Sequence, residues 1–148
     1  MKTENEVEIL LVEDNPSDVE LTLHTLKKNR LANNIHVVRD GAEALDFLFC
    51  RGAYASRSPN HPPKVVLLDL KLPKVDGMEV LRQIRGDARM RLLPVVIMTS
   101  SREERDVIES YKLGVNSYIV KPMDFDQFSE SVRQVGYYWL LLNQPPIL

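Results

Sequence analysis

Four short aliphatic runs, each ending on a polar residue, constrain this chain more than any other feature. Ile9-Leu10-Leu11-Val12 leads into Glu13-Asp14 and Val65-Val66-Leu67-Leu68 into Asp69. Val95-Val96-Ile97-Met98 leads into Thr99, and Tyr118-Ile119-Val120 into Lys121-Pro122. Nearly continuous aliphatic runs of this length suit strands buried on both faces by helices. In open α/β sheets, sites form in the crevice beyond the carboxyl ends of parallel strands. If these strands are parallel neighbours, three carboxylates, a hydroxyl and an ammonium converge on one edge.

Helix-like segments fill the intervals. Pro16 suits a first helical turn, and Val19, Leu23 and Leu26 follow as a stripe. Ile35 to Val38 reads as another strand. Asp40 and Glu43 form a start signal for a helix carrying Ala42, Leu45, Leu48 and Phe49. Leu72 to Gly77 reads as a turn, followed by a helix with Met78, Leu81 and Ile84. Ser101 and Glu104 predict a capping box, Gly114 the end of that helix, and Asp124 with Gln127 the start of the last one. Residues 52–64 hold Gly52, Pro59, Pro62 and Pro63 and read as a long loop, either a partner-binding loop or a neutral insertion, the latter favoured. The order is (βα)5, an α/β flavodoxin-like, doubly wound parallel sheet of five strands. Fold rules give strand order 2-1-3-4-5, with an extended C-terminal helix.

A chain of 148 residues makes one domain, its core spanning about 7–135 and its last helix and tail running to 148. The net charge of −2 gives no electrostatic case for nucleic-acid binding. Arg82, Arg85, Arg89 and Arg91 are interrupted by Glu79 and Asp87 and read as a solvated helix face. Cys50 is the only cysteine, which excludes an intrachain disulfide, and its apolar neighbours predict a buried thiol. Met1 to Glu8 does not resemble a targeting segment, and no apolar run approaches the ~20 residues of a membrane span. A cytoplasmic protein with no nucleic-acid or membrane partner is expected.

Glu13, Asp14 and Asp69 would lie at adjacent strand ends. Two unit charges ~5 Å apart repel by ~3 kcal/mol at an effective dielectric near 20. Three such groups take up protons or hold a cation, and oxygen-only ligands suit Mg²⁺. Lys121 supplies one compensating charge. With a phosphoryl donor present, Asp69 would attack phosphorus, Lys121 would pair with a phosphoryl oxygen, and Thr99 would donate its hydroxyl to another. An aspartate, threonine or lysine alone after a strand is ordinarily a turn residue. The information lies in finding all of them, in order, each at a strand end.

These stretches resemble the receiver domain of two-component response regulators, of the chemotaxis-type single-domain kind. The resemblance rests on Leu11-Val12-Glu13-Asp14-Asn15, Leu67-Leu68-Asp69-Leu70-Lys71-Leu72-Pro73-Lys74-Val75-Asp76-Gly77, Met98-Thr99-Ser100 and Val120-Lys121-Pro122, and covers about residues 7 to 135. It implies that Asp69 is the phosphoacceptor and that Glu13 and Asp14 hold Mg²⁺ with Asp69. It implies that the backbone carbonyl of Lys71 completes the metal shell. Thr99 and Lys121 would then read the phosphoryl group, and Tyr118 would be the aromatic switch that follows Thr99. A histidine kinase is the implied donor, and the Lys121–Pro122 bond is expected to be cis. Lys71 departs from the commoner asparagine or methionine and bears on phosphoryl lifetime. Output would come by protein contact, near the fourth helix, fifth strand and fifth helix.

In the last helix, apolar residues at 125, 128, 132, 135, 139 and 142 make a heptad-like seam. Beyond it, Tyr137-Tyr138-Trp139-Leu140-Leu141-Leu142 is apolar on every face. One sheet cannot cover all sides of a helix, and leaving three or four such side chains in water forgoes about 6 kcal/mol. A symmetric homodimer through Tyr138, Trp139 and Leu142 is therefore expected, the alternative being a fold-back of Pro145-Pro146-Ile147-Leu148. The 52–64 loop and this tail are similar to those of small regulators encoded beside cyanobacterial phytochrome histidine kinases.

Two other functional classes compete. A haloacid-dehalogenase-type phosphatase also uses an aspartate after a strand, but its second aspartate would fall at Lys71. A phosphorylation-independent dimeric scaffold would need only the fold, yet all the key positions are filled. The expectation is a phosphoacceptor signalling protein and not an enzyme.

Overall fold

In the computed structural model, which describes residues 6–32 and 34–146, each aliphatic run is a strand. The strands are β1 (Ile9–Val12), β2 (Ile35–Val38), β3 (Val65–Leu68), β4 (Val95–Thr99) and β5 (Ser117–Val120). All pair in parallel, in the expected order β2-β1-β3-β4-β5. Every residue of β1, β3 and β4 is buried, as two-sided coverage requires. Val12 is in register with both Val38 and Leu68, Leu68 with Ile97, and Thr99 with Val120. The residues that follow those positions therefore open onto one edge.

Helices α1 (Pro16–Lys28), α2 (Gly41–Leu48), α3 (Gly77–Gly86), α4 (Glu104–Lys112) and α5 (Phe125–Tyr137) connect the strands. One core layer joins Leu45, Phe47 and Leu48 of α2 and Val80, Leu81 and Ile84 of α3 to the sheet. The other joins Val19 and Leu26 of α1 to Phe128, Val132 and Val135 of α5. By contrast, α4 buries only Ser110.

Several local readings differ from expectation. The α4 cap is Glu103, with no side-chain hydrogen bond, while the Ser101 hydroxyl donates to Asp106 at 2.6 Å. Gly114 does end this helix, at φ +84°, the left-handed region open to glycine. Cys50 is half-buried, in left-handed backbone at the end of α2, with its sulfur 3.6 Å from Arg57 Nη1. Arg85 is no solvated residue. It donates to the carbonyls of Gly114 and Leu93 and to Asn116 Oδ1, at 2.8, 2.7 and 2.9 Å. The 52–64 segment is also tied down. Tyr54 donates to Glu43 at 2.6 Å and accepts from His36 Nε2 at 2.8 Å, and the Arg57 guanidinium stacks 3.6 Å from the Phe47 ring centre.

After α5 the chain continues as a π-helical turn over Tyr138–Leu142, with Asn143 N–H donating to Tyr138 at 2.6 Å. The wider turn breaks the seam: Leu140, five residues after Val135, is buried, and Leu142 is exposed. Trp139 is partly covered by the α1–α5 core. Tyr137, Tyr138, Leu141 and Leu142 remain exposed. Ile147 and Leu148 of the proposed fold-back, and Met1 to Asn5 of the polar N-terminus, lie outside the described residues. No helix among the described residues is long and apolar enough to cross a membrane.

Candidate functional site

Glu13 and Asp69 leave β1 and β3 side by side, because the Asp69 N–H donates to the Val12 carbonyl at 3.1 Å and the Glu13 N–H to that of Val38 at 3.1 Å. Both side chains are buried, whereas the neighbouring Asp14 is exposed. Each of the three can place a carboxylate oxygen within 4.8 Å of the others. Three oxygen donors at this spacing, two of them out of water, fit a hard divalent cation.

Lys121 enters from β5, its N–H held by the Thr99 carbonyl at 2.7 Å. Its ammonium donates to Glu13 Oε1 at 2.5 Å, Asp69 Oδ2 at 2.9 Å and Asp18 Oδ2 at 2.9 Å. Asp18 is the residue that sequence reasoning missed. Its one local signal, an acid in the first turn of a helix, is common to most helices.

The electrostatics follow from one ammonium set among four carboxylates. Burial pushes the Glu13 carboxyl up to about 7, against the pull of its hydrogen bond to Lys121. Burial acts on Asp69 as well, but the Lys121 charge, its hydrogen bond and one from Thr99 outweigh it and hold this carboxyl below its ordinary value. Burial works against the Lys121 ammonium too, yet hydrogen bonds to Glu13 and Asp18 keep it well above the usual lysine range. The site thus carries an ionised Asp69, a charged lysine and a surplus of negative charge that a proton or a cation relieves.

Thr99 is fully buried at the end of β4, and its Oγ1 accepts from the Ser101 N–H at 3.4 Å. Tyr118 packs against the α2–α3 core layer, and its hydroxyl donates to the Ser101 carbonyl at 3.0 Å. Thr99 and Tyr118 therefore converge on Ser101, in the loop that leads to α4. Lys71 is exposed, and its N–H donates to Asp69 Oδ1 at 3.4 Å. There is no cis peptide among the described residues, so the Lys121–Pro122 bond is trans, contrary to expectation. The trans form is the lower-energy one even before proline. Tyr138, Trp139 and Leu142 lie after α5, apart from these residues in the fold.

Carboxylates, a lysine and a threonine gathered at the strand ends of a 2-1-3-4-5 sheet define a receiver domain. The response regulator receiver domain profile matches residues 9–133, and the chain belongs to that family. Among its relatives is the response regulator Rcp1 of Synechocystis, 40% identical over 132 residues, 89% of this chain and 88% of Rcp1. The probable methanogenesis regulatory protein FilR2 of Methanothrix harundinacea is 40% identical over 146 residues, 99% of this chain and 92% of FilR2. The Mn²⁺-bound form of Rcp1 superposes with a TM-score of 0.88 at 38% identity, covering 95% of this chain and 99% of Rcp1. The phosphorylated cyanobacterial phytochrome response regulator RcpA gives 0.88 at 38%, covering 96% and 99%. The bacteriophytochrome response regulator AtBRR gives 0.73 at 55%, covering 96% and 100%.

Proposed function

We propose that this protein is a cytoplasmic response regulator whose receiver domain takes a phosphoryl group from a histidine kinase onto Asp69 and signals by protein contact. The observation that carries the reading is the single ammonium of Lys121 joined to Asp69, Glu13 and Asp18 at the mouth of the sheet. An Asp69 carboxylate oxygen attacks phosphorus. The new O–P bond forms as the phosphorus–nitrogen bond of the donor phosphohistidine breaks, and the electron pair leaves with the imidazole nitrogen. Glu13, Asp14, Asp69 and the Lys71 carbonyl would hold Mg²⁺, which when bound supplies positive charge for the phosphoryl oxygens. Lys121 and Thr99 meet the phosphoryl group, and Tyr118 passes the change to the Ser101 loop.

The chain holds a phosphoryl group rather than turning over a substrate, so it is a signalling protein and not an enzyme. The likeness to RcpA and AtBRR supports a phytochrome-type kinase as the donor. The exposed Tyr138 and Leu142, flanking a half-covered Trp139, support a homodimer through the C-terminal helix. Labelling by acetyl phosphate or a phosphorylated kinase should require Mg²⁺ and vanish in Asp69→Asn. Labelling that survives that substitution overturns the assignment.

A further inference from the structure

We propose that Asp18 is a positioning residue for Lys121, the tether that keeps its ammonium at the site once Glu13 and Asp69 are engaged elsewhere. The proposal rests on the reading of Asp69 as phosphoacceptor and adds a residue to it. A lysine ammonium has three N–H donors, and here each has a carboxylate: Glu13 at 2.5 Å, Asp18 at 2.9 Å and Asp69 at 2.9 Å. Two of these three belong to the oxygen cluster that fits a divalent cation. A carboxylate that shares its charge with a cation, before any phosphoryl oxygen has arrived, holds lysine less strongly. Of the anions that hold Lys121, Asp18 alone stands outside that cluster.

Asp18 is itself held firmly. Asn15 caps α1, its Oδ1 accepting from the N–H groups of Ser17 and Asp18 at 2.9 and 3.1 Å, and Pro16 fixes the first turn. An acid placed there only to complement the helix dipole would gain as much pointing into water. Instead its Oδ2 reaches Nζ of a residue 103 positions away, joining α1 to the end of β5. The Asp18 side chain is 26% exposed and borders an open groove of about 760 Å³ with Ser17, His24, Pro122, Met123 and Phe125. The tether therefore sits at the rim, outside the buried Glu13–Asp69 pair. Without it, a long side chain released by its two inner partners regains its rotamer freedom.

The test uses the full chain as wild type, Asp18→Asn, Asp18→Glu, Lys121→Ala and the Asp18→Asn/Lys121→Ala double variant. Acetyl phosphate labelling is followed as a function of Mg²⁺ concentration. Asp18→Asn should lower the maximal rate about tenfold, the low end for one charge-assisted hydrogen bond, with the half-saturating Mg²⁺ concentration unchanged. Asp18→Glu should recover most of that loss, and Asp18→Asn should add nothing in the Lys121→Ala background. A second readout needs no phosphoryl transfer. With saturating Mg²⁺, labelling of Lys121 by an amine-reactive reagent, measured by mass spectrometry, should rise severalfold in Asp18→Asn. Unchanged Lys121 reactivity, or an equal loss of rate in the Lys121→Ala background, overturns the tether. Wild-type protein that never labels at Asp69 overturns the phosphoacceptor reading instead, and the amine readout still decides the role of Asp18.

Discussion

Gly77 presses against the backbone of Asp69. A Cβ built at Gly77 would stand 2.1 Å from the Asp69 carbonyl oxygen and 2.7 Å from Leu70 Cα. The Gly77 N–H donates to the Leu70 carbonyl at 2.8 Å, closing the loop that carries Lys71. Because both neighbours are backbone, no side chain can yield. Gly77→Ala should lower stability by about 1–3 kcal/mol in urea denaturation and slow phosphoryl labelling by displacing Asp69. An unchanged urea midpoint would show that this loop accommodates a methyl group.

Arg85 staples α3 to the start of β5. Its guanidinium serves two carbonyls and Asn116 Oδ1, which in turn accepts from the Val95 N–H at 2.8 Å. Arg85→Ala leaves those acceptors short of donors and should cost about 2–3 kcal/mol. Arg89→Ala, on an exposed residue of the same arginine-rich stretch, should leave the urea midpoint where it is.

His36 makes stability depend on pH. Burial lowers its pKa, with Glu43 opposing and Arg57 reinforcing the shift. A base whose folded pKa is depressed binds fewer protons folded than unfolded, so stability rises with pH and is lost as pH falls below the unfolded value near 6.5. Glu13, raised to about 7, slopes the other way in metal-free protein. Comparing wild type with His36→Gln cancels that second slope. The wild-type midpoint minus that of His36→Gln should decrease on going from pH 7.5 to 5.5, and a constant difference would remove His36 as a cause.

Asp14 is the exposed member of the carboxylate cluster. Asp14→Asn should weaken Mg²⁺ or Mn²⁺ binding by at least about tenfold in calorimetric titration, with the metal-free urea midpoint preserved. Equal affinity would place the cation away from these residues.

Tyr138 and Leu142 are 49% and 60% exposed, whereas Trp139 is partly held by the α1–α5 core. A pair of changes, Tyr138→Ser and Leu142→Ser, should leave the fold intact and raise the dimer dissociation constant by about 100-fold or more in sedimentation. Wild-type protein that sediments only as a monomer removes the dimer.

The strands and their terminal residues were legible because a parallel register carries local pattern straight into three dimensions. Once Val12 and Leu68 are level, Glu13 and Asp69 must be neighbours. Asp18 and Arg85 were not legible, since their partners lie 103 residues away for Asp18 and up to 31 away for Arg85, and nothing in the local spacing marks them. The last helix was legible only in part. Phe128, Val132 and Val135 of its seam are buried, but Phe125 is exposed, and a π turn over Tyr138–Leu142 brings Leu140, which is off the seam, into the core. The 52–64 segment has a loop's composition, yet Tyr54 and Arg57 bind it to α2 through side chains whose reach no pattern encodes.

Ser110 is the one residue that α4 buries, and the helix begins without a side-chain cap. Elements with so little apolar anchorage open at the low end of a protein's free-energy spectrum. The receiver thus carries one lightly moored helix beside the Ser101 loop. On the role proposed for Thr99, a displacement there would reach α4 through its bond to Ser101, and α4 would have only Ser110 to uncover.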